Sequence, residues 1–110
     1  MIARVATLKV RTDKMDEIVQ YYNDSIFPVV SQKQGFRGGC LLTDRKTGDC
    51  LAVGYWDTED QALADERDGQ FKERINTIQE YVVSPPLWRI YEVSLKFGCQ
   101  LLEFSRFRIS

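Results

Sequence analysis

Histidine is absent from the 110 residues, and that absence narrows the available chemistry more than any residue present. It removes the commonest general base near neutral pH, the commonest metal ligand and the usual axial ligand to haem. Three cysteines, Cys40, Cys50 and Cys99, follow no metal-ligand spacing. A thiol becomes nucleophilic beside a base, and no Cys–His pair can form here. Reduced, partly buried thiols in a cytoplasmic protein are expected. The run Asp65-Glu66-Arg67-Asp68 offers paired carboxylates, whose pKa values can rise far enough for general-acid work. A charge run on a helix turn reads more simply as a solvated face, and catalysis is not expected from it. Trp56, Tyr55 and Tyr22 have apolar bodies suited to interior packing and polar tips that can hydrogen-bond. Thr7 reads as an ordinary strand residue, with a hydroxyl that a pocket could use. Arg37 reads as a solvated arginine within reach of a substrate oxygen.

The elements that position these groups centre on Gly35–Trp56. Two apolar runs, Gly39–Leu42 and Cys50–Trp56, flank a polar turn in which Gly48 is free to take a positive φ. That is a β-hairpin. With Asp44 opposite Asp49, Leu42 pairs with Leu51 and Cys40 with Val53. Period-two alternation then puts Cys40, Leu42, Leu51, Val53 and Tyr55 on one face. Leu41, Thr43, Cys50, Ala52, Gly54 and Trp56 take the other. Cys40 and Cys50 therefore cannot bridge without rearrangement. Both faces are largely apolar, so both need cover.

Ile2–Val10 is a strand. Thr12 or Asp13 is expected to cap a helix with an apolar stripe at Met15, Ile18, Val19, Tyr22, Ile26, Val29 and Val30. Pro28 should kink this helix, and Gly35 should stop it. Thr58-Glu59-Asp60-Gln61 has the form of a capping box and starts a second helix running to about Tyr81. A break is expected between Asp65 and Gly69. Ser84-Pro85-Pro86 ends that helix, and Leu87–Leu95 is a fourth strand. The order β-α-β-β-α-β predicts an α+β, ferredoxin-like fold with both helices on one face of a four-stranded antiparallel sheet. The other face stays apolar, and a homodimer closing sheet to sheet would cover it.

One domain over residues 1–96 is expected, with 97–110 as a C-terminal extension. The extension carries Phe97, Leu101, Leu102, Phe104, Phe107 and Ile109. Its pattern fits strand or helix about equally, and an extended arm laid on a partner subunit is the preferred reading. A net charge of −1 gives no general attraction to nucleic acid or anionic membrane. No apolar run reaches the roughly 18 residues of a membrane span. The opening MIARVATLKV lacks the continuous apolar core of a signal peptide.

Three stretches resemble the antibiotic biosynthesis monooxygenase-like family of dimeric α/β-barrel proteins. They are RVATLKVRTDKMDE, QGFRGGCLLTDRKTGDCLAVGYWDTEDQA and the YEV at Tyr91–Val93. The resemblance covers roughly Ile2 to Val93 and implies a pocket between the sheet and its helices. It also implies oxidation of a small aromatic or quinol-like substrate with no metal or flavin, the substrate's own anion reacting with oxygen. Such chemistry needs a dry aromatic cavity and donors for a developing oxyanion. Trp56 matches the family's tryptophan at the end of the third strand and would stack on or hydrogen-bond a substrate. Thr7 stands near the position of the haem-degrading members' first-strand asparagine. With no histidine to ligate iron, haem degradation is not expected. The expected site is therefore Trp56 and Thr7 as catalytic residues, with Tyr22, Tyr55, Arg37 and Phe71 binding substrate.

Two functions remain in balance. One is a cofactor-independent monooxygenase in a homodimer, or a higher oligomer. The other is a non-catalytic, dimeric small-ligand-binding or stress-related protein of the same fold. Nucleic-acid binding through the sheet would need a basic open face and is disfavoured.

Overall fold

The computed structural model of the chain describes residues 1–98. Its strands are β1 (Ile2–Lys9), β2 (Phe36–Thr43), β3 (Asp49–Trp56) and β4 (Leu87–Glu92). They form one antiparallel sheet in the order β2-β3-β1-β4. The expected hairpin register holds: Leu42 pairs with Leu51 and Cys40 with Val53. Asp44 N–H donates to Asp49 O at 2.8 Å, and Gly48 takes φ +86° in the turn. The α+β, ferredoxin-like architecture follows. Among the described residues no helix is long and apolar enough to cross a membrane. The expectations for 97–110 lie almost wholly outside the described residues.

The first helical segment is more broken than its stripe implies. A 3-10 turn (Thr12–Lys14) leads into α1 (Met15–Tyr21), a π-helical turn (Tyr22–Ile26) and α2 (Phe27–Val30). Neither Thr12 nor Asp13 caps through its side chain; both lie inside the 3-10 turn. The widened turn sits just before Pro28, which has no N–H to donate and crowds the carbonyl four residues back. The stripe survives, with Met15, Ile18, Tyr22, Ile26 and Val30 all buried.

The second helical segment breaks where expected, into α3 (Glu59–Glu66) and α4 (Gly69–Ile78). Thr58 caps α3, its Oγ1 accepting from Gln61 N–H at 3.2 Å, and Asp68 caps α4. The reciprocal half of the capping box does not form. Gln61 instead packs against Gly35, and its Oε1 is buried without a partner among the described residues.

The core lies between sheet and helices, where Leu8, Val10, Met15, Ile18, Trp56 and Ile78 are almost wholly buried. Each aliphatic side chain there contributes roughly 1.5–3 kcal/mol. The opposite face carries Thr7 between Leu51 and Leu87, and Leu42 beside Leu51. Leu42, Leu51, Leu87 and Tyr91 are exposed on it. It is the uncovered apolar face that the hairpin pattern implies.

Candidate functional site

One row of residues across the helix-facing side of the sheet builds the site. Gly39 pairs with Gly54, Gly54 with Arg4, and Arg4 with Ile90. Two adjacent positions without side chains leave a trough in β2 and β3. Alternation points Arg4 to the same side as Ala6 and Leu8, so its long side chain runs under the helices beside that trough.

A buried guanidinium needs partners, and Arg4 has them on every side. Its Cζ lies 5.8, 5.4 and 5.5 Å from the ring centres of Trp56, Phe71 and Trp88. Three aromatic faces thus cage one cation. Its Nη1 donates to Ala62 O at 2.9 Å and its Nη2 to Asp65 Oδ2 at 2.7 Å. Asp65 also accepts from Lys33 Nζ at 2.6 Å and Arg74 Nη2 at 2.7 Å. Burial pushes this carboxyl up, and the bonds from Arg74, Lys33 and Arg4 outweigh it and hold the group at about 2.

Asp65 is therefore not part of a solvated face, while Arg67 is exposed and Glu66 and Asp68 are half-buried. Asp65 is 2% exposed and is the acceptor that three cations share. It falls three residues after the buried Ala62, on the inward side of α3.

Beside this cluster lies a cavity of about 50 Å³, lined by Tyr22, Phe27, Phe36, Gly54, Trp56 and Arg74 among others. Such a space holds one or two waters, whereas a cavity of about 150 Å³ takes a benzene ring. Trp56 is 1% exposed, and Phe36 packs edge-on against it at 5.1 Å. Trp56 Nε1 and Arg74 Nε are buried, and neither has an acceptor among the described residues. A β-carbon added at Gly54 would lie 3.3 Å from Trp56 Nε1, so the indole nitrogen sits close to that glycine. Orphaned buried donors are costly, and here two of them belong to residues of one cavity wall. Burial pushes the Tyr22 phenol well above its ordinary range, so it stands there as a neutral hydroxyl.

The structure brings Trp56, Tyr22 and Phe71 together at this cavity. Thr7, Tyr55 and Arg37 lie away from this cavity; Tyr55 and Arg37 border a separate depression of about 410 Å³. Thr7 is one alternation step from Ala6 and Leu8, so its hydroxyl faces away, between Leu51 and Leu87. Tyr55 is likewise on the open face, opposite Ala3. Arg37 sits at an irregularity in β2 and forms an exposed bidentate pair with Asp57, both bonds at 2.7 Å. Arg4, Asp65, Arg74 and Lys33 were not anticipated. Arg4 could have been found by extending the alternation of β1 one step back from Ala6. The convergence of α3, α4 and Lys33 on it is a tertiary contact with no local signal. Cys50 is buried on the helix side, its thiol pushed up to about 11 by burial, and Cys40 is half-buried on the open face.

No family profile matches the chain. The uncharacterised protein Rv2557 of Mycobacterium tuberculosis H37Rv is 32% identical over 65 residues. That stretch is 59% of this chain and 29% of the relative, so the match spans less than a third of that protein. The Streptomyces coelicolor monooxygenase from ActVA-Orf6, solved in complex with the ligand nanaomycin D, superposes with a TM-score of 0.77 at 12% identity. The superposition covers 87% of this chain and 89% of that one. A putative antibiotic biosynthesis monooxygenase from Deinococcus radiodurans gives 0.75 at 16% identity, over 89% and 97% of the two chains. The haem degrader MhuD of Mycobacterium tuberculosis, solved with two haems in its active site, gives 0.71 at 16%, over 89% and 100%. The protein described here thus has the antibiotic biosynthesis monooxygenase-like fold, with a caged arginine and two orphaned donors at the cavity beneath its sheet.

Proposed function

We propose that the cavity beside Trp56 binds a small phenol or quinol by its oxygen, and that the bound anion reacts with dioxygen without a cofactor. The observation that carries this is the pair of buried donors, Trp56 Nε1 and Arg74 Nε, lacking acceptors among the described residues at a wall that is aromatic and apolar apart from them and Arg4. An oxygen ligand would satisfy both. The Arg4 and Arg74 guanidinium groups favour its ionised form. No base is required of the protein: Tyr22 stays protonated, Asp65 is fully engaged, and the proton leaves to solvent. The phenolate supplies the electrons. One dioxygen converts the ring C–H opposite the hydroxyl to a carbonyl and departs with its second oxygen as water. Phenol plus dioxygen gives quinone plus water, so no external reductant enters. The ActVA-Orf6 enzyme and the other monooxygenases of this fold support the reaction class.

A second reading, ligand binding without turnover, draws on the cavity's volume. At about 50 Å³ it must open before a ring can enter. Both readings place the site in a homodimer closed across the exposed row of Leu42, Leu51 and Leu87.

Oxygen uptake and calorimetric binding with a panel of phenols that carry a hydrogen opposite the hydroxyl separate them, with hydrogen peroxide assayed to exclude simple dehydrogenation. The oxygenase reading expects one dioxygen consumed per quinone formed, with Trp56→Phe, which keeps the ring and loses the N–H, slowed at least tenfold. Binding without uptake establishes the second reading. No binding by any member of the panel sinks both.

A further inference from the structure

A second depression lies on the outside of the helix layer, a groove of about 260 Å³ bordered by Tyr21, Ser25, Gln70, Glu73 and Thr77. Arg74 borders both this groove and the inner cavity. The first helical segment and α4 border both spaces. The π-helical turn presents Tyr22 and Ile26 inward and Ser25 outward, with Tyr21 at the end of α1 also outward. Helix α4 presents Phe71, Ile75 and Ile78 inward and Gln70, Glu73 and Thr77 outward.

We infer that Arg74 is the partition between these spaces, and that together they take one bipartite ligand. Its oxygen-bearing ring would sit inside and a neutral, hydroxylated substituent outside. This rests on the reading of the inner cavity given above and adds to it the entry route and the class of substituent. The Arg74 side chain is held at one point and stacked on one face. Its Nη2 donates to Asp65 Oδ1 at 2.7 Å, and its Cζ lies 5.2 Å from the Phe71 ring. Its Nε has no acceptor among the described residues although the residue is only 9% exposed. A long, flexible side chain with one unused donor can turn toward the groove and admit a ring beneath it. Neither volume alone suits a substituted ring, but together they reach the lower end of small-molecule sites, about 300 Å³.

The groove's chemistry sets the substituent. Ser25 offers a hydroxyl, Gln70 an amide and Glu73 an acceptor; Thr77 donates to Glu73 O at 3.1 Å and keeps acceptor capacity, and Tyr21 and Val29 add apolar surface. The Glu73 carboxylate is exposed at the groove and disfavours an anionic substituent. A polyhydroxy group answers that mixture better than an anion or an alkyl chain.

Calorimetry on the full chain with hydroquinone and with its mono-β-glucoside tests this. The glucoside is expected to bind at least tenfold more tightly. The double variant Ser25→Ala/Thr77→Val should erase that gain and leave hydroquinone affinity within twofold. Glu73→Gln, an exposed isosteric change, provides a second variant expected to lose part of the gain. Equal affinity for the two compounds, or a gain that survives every groove variant, overturns the bipartite site and leaves the inner cavity standing. If neither compound binds, the inner-cavity reading fails and this inference falls with it.

Discussion

Arg4 Nη2 donates to Asp65 Oδ2 at 2.7 Å, joining the first strand to the third helix, with both side chains buried. Removing either partner strands the other. A buried ion pair broken on one side costs about 3–5 kcal/mol. Asp65→Asn leaves Lys33 and Arg74 facing an uncharged amide as well. Arg4→Met keeps a long apolar stem in the Trp56–Phe71–Trp88 cage and loses the charge. Each single variant is expected to lose several kcal/mol in urea titration. The double variant should lose less than the sum, with a coupling of about 1–3 kcal/mol. Strict additivity would mean that the pair does not hold β1 to α3.

The same carboxylate gives a pH signature. Its folded pKa, about 2, lies below the ordinary value of 3.8. A depressed carboxylate contributes stability that is fully present above the unfolded pKa and is lost as pH falls toward the folded one. The contribution, about 2 kcal/mol, should therefore fade between about pH 5 and pH 2. Melting temperature followed from pH 6 to pH 3 is expected to drop more steeply for the native chain than for Asp65→Asn. Asp49, Asp57 and Asp68 are also lowered by their partners, so some slope remains in the variant. Identical slopes would refute a special role for Asp65.

The contrast between Leu51 and Arg4 shows how far the sequence could be read. Leu51, Leu42, Val53 and Cys40 took their register and face from local information alone: a glycine turn and period two. The helix break after Glu66 and the Thr58 cap were equally local. What failed needed a partner distant in sequence. An aspartate inside a charge run looks solvated until β1 brings a guanidinium against it. Thr7 was placed by likeness of position, and the alternation that fixed the hairpin, applied one strand over, turns it the other way. Trp56, Tyr22 and Phe71 border the inner cavity, as aromatic bulk at helix-facing positions allows.

The open face of the sheet yields a prediction about assembly. Val53 stands mid-sheet, in a row with Cys40 on one side and Val5 on the other, while Leu51 and Leu42 lie exposed in the next row. Water on this largely apolar surface, interrupted by Thr7 and by Arg89 beside Val5, is unfavourable, and a second copy removes it. Light scattering is expected to give twice the chain mass of 12.8 kDa. Val53→Lys, which sets two like charges near the symmetry axis of a sheet-to-sheet dimer, should shift the particle to the single-chain mass with the fold retained by circular dichroism. A native chain already at 12.8 kDa in dilute solution would show that the face needs no copy of itself.

Gly54 gives the sharpest probe of the inner cavity, because it has no chemistry of its own to lose. Its backbone lies in an ordinary strand conformation, so an alanine there brings no φ strain. The added methyl would sit 3.3 Å from Trp56 Nε1 and 3.4 Å from Phe36 Cε1. Those contacts are tight but borne by side chains, and a loss of about 1 kcal/mol or less is expected from small displacements of the rings. The methyl blocks the approach to the indole N–H while leaving that donor in place. If a substrate oxygen binds Trp56 Nε1, Gly54→Ala should weaken hydroquinone binding at least tenfold, and melting temperature should fall by only a few degrees. Trp56→Phe should weaken it comparably, since one variant shields the donor and the other deletes it. The pair combined should do little more than either alone, because both act on one hydrogen bond. Full affinity in Gly54→Ala would move the ligand's oxygen away from the indole and leave Arg74 Nε as its only donor of the two.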